Sequence, residues 1–171
     1  MENAAAPIVL TAEDNPLVRS DLRLTLEDAG FVVCPDAHDG VEAVELAREH
    51  RPDVILLDLR LPRLSGVDAA RLIRGERDVP IVALTGYRGF AEQALAAGAS
   101  SYVLKPFGEQ ELVDAVSAAL AAHAGQVGAA ARRESLGAIA CVLSALGYPP
   151  EWSEAFEQRQ YAAGRLWRRH A

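Results

Sequence analysis

Cysteine, lysine and aromatic residues are all scarce in this 171-residue chain, which has two cysteines, a single lysine and an aromatic share of 6%. Two cysteines cannot staple a fold of this size, so the core has to be hydrophobic and the compartment is expected to be reducing. Both thiols, Cys34 and Cys141, are read as buried apolar groups rather than redox sensors. No run approaches the ~20 consecutive apolar residues that cross a bilayer. The opening MENAAAPIVL has no basic n-region, and Pro7 interrupts its short apolar run, so no signal peptide is expected. The four histidines, at 38, 50, 123 and 170, show no metal-ligand spacing. A phosphate-binding GxxxxGK[ST] loop is absent as well. These absences leave a soluble, cytoplasmic globular protein without a membrane partner as the expectation.

What is present is half apolar and 24% charged, a balance typical of packed domains. The net charge of −7 is unevenly spread. Residues 1–123 carry 20 acidic and 11 basic side chains, whereas residues 124–171 carry 4 and 6. The acidic segment repels nucleic acid phosphates, so any such binding would fall to the tail. Arginine outnumbers lysine 16 to one, which singles out Lys105. Arginine substitutes poorly where a compact ammonium is required.

Along the first 123 residues, short apolar runs alternate with amphipathic stretches. Ile8-Val9-Leu10 reads as a strand that ends in Thr11-Ala12-Glu13-Asp14. Asn15-Pro16 supplies an N-cap and first-turn proline for a helix with a Val18, Leu22, Leu26, Ala29 stripe, closed by Gly30. A strand at 31–34, an Asp39-capped helix over 40–50 and a doubly buried strand at 53–58 follow. Further helices are expected near 67–75 and 90–97, with strands at 81–84 and 101–104. A last helix begins near Gly108 and buries Leu112, Val116, Ala119 and Leu120. This alternation predicts an α/β fold with a doubly wound, five-stranded parallel sheet. Functional groups in such sheets lie just beyond the carboxyl ends of the strands. Those ends read Glu13-Asp14, Asp58, Thr85 and Lys105.

Carboxylates gathered in a partly apolar site repel one another unless a cation compensates. A hard divalent ion with oxygen ligands, Mg²⁺ above all, suits them and leaves room for a phosphate. A lysine and a threonine hydroxyl complete the parts needed for phosphoryl transfer, with a carboxylate as the nucleophile.

Glu13-Asp14, LLDLRLPRLSG at 56–66, LTG at 84–86, and Tyr102 with Lys105-Pro106-Phe107 together resemble the receiver domain of bacterial two-component response regulators, chemotaxis-regulator-like. The likeness covers residues 7–123 and implies a flavodoxin-like strand order of 2-1-3-4-5. It further implies that Asp58 is the phosphorylation site, taking its phosphoryl group from a sensor histidine kinase. Glu13, Asp14, Asp58 and the Arg60 backbone carbonyl would hold Mg²⁺, with Glu13 acting through water. Lys105 would pair with phosphoryl oxygens, Thr85 would turn to bond the phosphorylated Asp58, and Tyr102 would swing inward. Such a chain is a phosphoacceptor that assists its own phosphorylation and dephosphorylation, and not an enzyme. Two departures are mild: a Glu-Asp acidic pair for the commoner Asp-Asp, and Leu61 for a frequent methionine. Arg60 and Tyr87, each two residues past a site residue, match positions that tune phosphoryl lifetime, and predict slow autodephosphorylation. An aspartyl-phosphate phosphatase of haloacid dehalogenase type fits worse, because Asp58-Leu59-Arg60 lacks the second acid of a DxD pair.

Residues 125–171 hold both tryptophans and half of the ten aromatics, unlike a solvated linker. Gly125 and Gly128 suggest a short break, although an unbroken Ala-rich helix is the alternative. Leu136, Ile139, Ala140, Leu143 and Leu146 recur at helical spacing; Gly147-Tyr-Pro-Pro150 is a stop, and 151–169 reads as a second helix. The expected helical hairpin buries little alone and calls for a partner. A homodimer is preferred, through these helices or through the face made by the fourth helix, fifth strand and fifth helix. Nucleic acid is the less favoured partner, since the tail shows no helix-turn-helix and does not match the RNA-binding antitermination modules of some receivers. A histidine phosphotransfer protein is a further candidate partner.

Overall fold

Side chains alternate between the two faces of a strand, and the buried residues here divide along that alternation. In this computed structural model, which describes residues 5–145 with side chains to residue 130, five strands form one parallel sheet. They are β1 (Ile8–Ala12), β2 (Val32–Val33), β3 (Val54–Asp58), β4 (Ile81–Thr85) and β5 (Ser101–Leu104), ordered β2-β1-β3-β4-β5. The connecting helices are α1 (Pro16–Asp28), α2 (Gly40–His50), α3 (Gly66–Glu76) and α4 (Arg88–Ala96), and α5 follows over Glu109–Ala145. Strand order and helical crossovers are those of the expected doubly wound sheet.

Val9, Val54, Leu56, Val82, Leu84 and Val103 pack with Leu22 and Leu26 of α1 and with Leu112 and Val116 of α5. Their strand neighbours Leu10, Ile55, Leu57, Ile81 and Ala83 pack on the other face with α2, α3 and the end of α4. Every residue of β3 and β4 is buried, as the unbroken apolar runs predict. Each large side chain so removed from water contributes about 1.5–3 kcal/mol. These two adjacent strands therefore give the site a fully buried support.

Helix starts follow local chemistry. Asn15 caps α1 by accepting the Leu17 N–H at 3.0 Å, ahead of Pro16. Asp39 caps α2 by accepting from Val41 and Glu42 at 2.8 and 3.0 Å. Ser65 caps α3 through the Asp68 N–H. Three details depart from expectation. The second strand is only Val32–Val33, because the Phe31 N–H is taken by Leu26 O, which closes α1. Ala29 lies outside α1 and is exposed, leaving buried Leu22 and Leu26, with half-buried Val18, to carry the stripe. Asp53 lies outside β3, and its side chain accepts the Ile8 N–H at 2.8 Å.

The chain divides into two compact units, Met1–His123 and Ala124–Ala171. α5 continues without interruption past Gly125 and Gly128, so of the two readings of that segment the unbroken helix is the one adopted. The second tail helix expected over 151–169 lies outside the described residues. Among the described residues, no helix is long and apolar enough to cross a membrane.

Candidate functional site

Parallel register decides which strand ends meet. Ala12 pairs with Leu57, Asp58 with Leu84, and Thr85 with Leu104. Glu13, Asp58, Thr85 and Lys105 are thereby brought level along one edge. The backbone continues the register past the strands, with Leu59 N–H donating to Leu84 O at 3.1 Å and Lys105 N–H to Thr85 O at 2.8 Å.

Glu13 and Asp58 are buried, at 1% and 8% exposure, while Asp14 is exposed. One carboxylate oxygen from each of these three lies within 4.8 Å of the others. Lys105 reaches between two of them, its Nζ 2.6 Å from Glu13 Oε2 and 2.6 Å from Asp58 Oδ2. The remaining oxygens are also engaged, as Asn15 N–H donates to Glu13 Oε1 at 3.2 Å and Arg60 N–H to Asp58 Oδ1 at 2.9 Å. Burial pushes the Glu13 carboxyl above the usual carboxylate range, and the Lys105 hydrogen bond offsets this only in part. Burial disfavours the Lys105 ammonium as well, yet the bonds it donates to Asp58 and Glu13 outweigh this and hold its pKa above the ordinary lysine value. A buried carboxylate so placed is short of positive charge, and its neighbours offer only hard oxygen donors. That donor set fits a small divalent cation such as Mg²⁺.

One close backbone approach sets the position of Asp58, and a side-chain bond secures the loop beside it. A Cβ on Gly66 would stand 2.0 Å from Asp58 O, so only glycine lets α3 start against the end of β3. Arg19 secures the neighbouring loop, its Nη1 lying 2.6 Å from Glu13 O and 3.3 Å from Asp14 O. Neither role is legible in the sequence, where Gly66 only closes the 56–66 motif and nothing singles out Arg19.

Thr85, 2% exposed, exchanges hydrogen bonds with Tyr87, its hydroxyl donating to the carbonyl and accepting the N–H, both at 3.2 Å. Tyr102 stands on β5 at 36% exposure, turned toward solvent. The Arg60 guanidinium lies 5.2 Å from the centroid of the Tyr87 ring, which in turn meets Phe90 edge to face at 6.2 Å. The two positions flanking the site thus touch each other at its mouth. Cys34 is buried, and that burial raises its thiol pKa, in keeping with an unreactive core group.

The chain is similar to several known proteins. It is 44% identical over 121 residues to the transcriptional regulatory protein PdtaR of Mycobacterium tuberculosis, across 69% of this chain and 59% of that protein. It is 40% identical over 114 residues to the DNA-binding response regulator MtrA of Mycolicibacterium smegmatis, across 66% and 50%. It spans between half and three-fifths of the length of these curated relatives. Among solved structures, the receiver domain of the Pseudomonas aeruginosa sensor histidine kinase PA1611, with magnesium coordinated in its active-site cleft, superposes with a TM-score of 0.64 at 38% identity. That match covers 68% of this chain and 99% of the other. The chemotaxis protein CheY4 of Vibrio cholerae gives a TM-score of 0.63 at 30% identity, over 67% and 99%. The response regulator receiver domain family matches residues 9–117, the stretch that carries the five strands and the acidic edge, and the chain belongs to that family.

Proposed function

We propose that the chain is a phosphorylation-controlled switch in which Asp58 accepts a phosphoryl group from a sensor histidine kinase. The observation that carries this reading is the Asp58 carboxylate itself, nearly buried at the end of a central strand and bonded to the Lys105 ammonium at 2.6 Å. An Asp58 oxygen attacks phosphorus as the P–N bond of the phosphohistidine breaks. The bonding pair stays with the imidazole nitrogen, which takes up a proton, and an acyl phosphate remains on Asp58. Asp14, Asp58, the Arg60 carbonyl and, through water, Glu13 would hold Mg²⁺, which when bound would neutralise phosphoryl charge. Lys105 moves from the carboxylates to the phosphoryl oxygens. The Thr85 hydroxyl exchanges Tyr87 for the phosphorylated Asp58, and Tyr102 turns inward into the space left. The chain is a phosphoacceptor that assists its own phosphorylation and dephosphorylation rather than an enzyme. Arg60 stacked on Tyr87 screens the acyl phosphate from water, so autodephosphorylation is slow; a half-life of seconds in purified protein contradicts this.

The output is association in the cytoplasm, with homodimerisation through the C-terminal helices or through the α4–β5–α5 face. A histidine phosphotransfer protein is a second phosphoryl partner. A nucleic-acid output is the alternative, favoured by the tail's excess of basic residues, 6 against 4 acidic. Two measurements test the proposal. Incubation with a small acyl phosphate and Mg²⁺ should add one phosphoryl group to the intact mass, and none to Asp58→Asn; an unchanged wild-type mass overturns the acceptor role. Light scattering before and after beryllofluoride should show a monomer becoming a dimer, or a dimer in both states; a monomer throughout removes the dimer reading and turns the test to nucleic acid.

A further inference from the structure

The first turn of α2 and the loop between β3 and α3 meet through a pair of side chains that lies outside the phosphoacceptor machinery. Asp39, 6% exposed, spends Oδ1 on capping α2 and presents Oδ2 to Arg63 Nη1 at 2.9 Å. The cap needs only the first oxygen. Arg63 stands at φ 63°, in the left-handed region that glycine occupies without strain, so the backbone by itself gives no reason for an arginine. Behind the pair the two backbones close on each other: Gly40 N–H reaches Pro62 O at 3.4 Å, and a Cβ on Gly40 would lie 2.0 Å from Leu64 O.

The same loop bears Arg60, whose N–H holds Asp58 Oδ1 and whose carbonyl is the backbone ligand of the cation reading. A carbonyl on a loose loop has to be ordered by the incoming ion, and that ordering entropy is subtracted from affinity. A loop seated beforehand avoids the loss. We propose that the Asp39–Arg63 ion pair is a positioning clamp, holding the loop over residues 59–65 against α2 so that the Arg60 carbonyl is preorganised for a divalent cation. This inference rests on the Mg²⁺ site described under the proposed function.

Electrostatics alone predicts the opposite of the clamp. Arg63 is a cation near an acidic site, so deleting its charge should tighten Mg²⁺ binding; releasing the loop should weaken it. Calorimetric titration of Mg²⁺ into the full chain distinguishes the two. Arg63→Gln, which leaves the Asp39 cap intact, is expected to weaken Mg²⁺ binding about three- to tenfold, the scale of one hydrogen bond whose arginine is largely exposed. Arg63→Lys should recover most of the loss. Arg71→Gln, which removes an exposed partner of Asp68 on α3, should leave affinity within about twofold. The melting temperature of the Mg²⁺-free Arg63→Gln protein should stay near wild type, while its Leu64 amide exchanges faster with solvent. Unchanged or tighter Mg²⁺ binding by Arg63→Gln overturns the clamp and leaves the site standing. A wild-type chain that binds no Mg²⁺ overturns the site, and the clamp with it.

Discussion

At the amino ends of the strands, polar groups close the backbone at little electrostatic cost. Exposed Asp53 accepts the Ile8 N–H at 2.8 Å, and Ser100 Oγ accepts the Ile81 N–H at 3.3 Å. At the carboxyl ends of the same strands, Glu13 and Asp58 are buried and share one ammonium, with two 2.6 Å bonds to Lys105. The first arrangement satisfies neutral donors near water and asks nothing more. The second concentrates more negative than positive charge where water is scarce, a condition that costs stability and is sustained by the rigid β3 and β4 beneath it. One sheet therefore has a structural edge and a reactive edge, and the difference lies in how charge is compensated rather than in how the strands pair.

That contrast is broken most severely at Gly66. Gly66→Ala forces a Cβ against Asp58 O, for which 2.0 Å is available, and should cost about 3 kcal/mol, read as a lower denaturation midpoint in urea. Lys105→Met comes next, because it leaves two buried carboxylates without their cation. With Lys105 itself about a quarter exposed, the expected loss is about 1–3 kcal/mol in the Mg²⁺-free protein at neutral pH. Mg²⁺ at ten times its dissociation constant should return about 1.4 kcal/mol to the wild-type fold and less to Asp14→Ala, by denaturation with and without the ion.

Acid–base linkage sharpens the comparison further. Burial raises the Glu13 pKa above its ordinary 4.5, so the folded state holds this proton more tightly than the unfolded chain does. Its unfavourable charge is absent at lower pH and develops as pH rises through the interval between the unfolded and folded values. The stability of Glu13→Gln relative to wild type should therefore increase as pH rises above 4.5 in Mg²⁺-free buffer; a flat difference would contradict the assignment. The smallest effect belongs to the other edge. Asp53→Ala removes one exposed hydrogen bond and should cost about 0.5–1 kcal/mol without altering Mg²⁺ affinity.

Much of this is legible in the sequence alone. The runs expected as strands at 53–58 and 81–84 are short and apolar within an alternating chain, and the strands found there, Val54–Asp58 and Ile81–Thr85, are fully buried. Asn15-Pro16 and Asp39 mark helix starts because their side chains answer a local need, the unpaired N–H groups of a first turn. Glu13, Asp58, Thr85 and Lys105 stand out because each lies at or just past the carboxyl end of a strand. Most of the rest is hidden because it depends on residues far apart in the chain. The second oxygen of Asp39 meets Arg63 24 positions away, and Glu13 meets Lys105 across 92. Periodicity carries no information about such meetings. The sequence alone does not decide the passage of α5 through Gly125 and Gly128, because two glycines lower helical propensity without forbidding a helix.

The sequence by itself determined the order of elements, the parallel sheet and the list of groups at its carboxyl edge, because periodicity, caps and strand ends are local properties. Only the tertiary structure decided the relations among those groups. Register set Glu13 beside Asp58, burial raised one carboxyl and left Asp14 in water, and close backbone approach made Gly66 and Gly40 obligatory. Each of these is a distance between separate segments, and distances of that kind exist only once the chain has closed on itself.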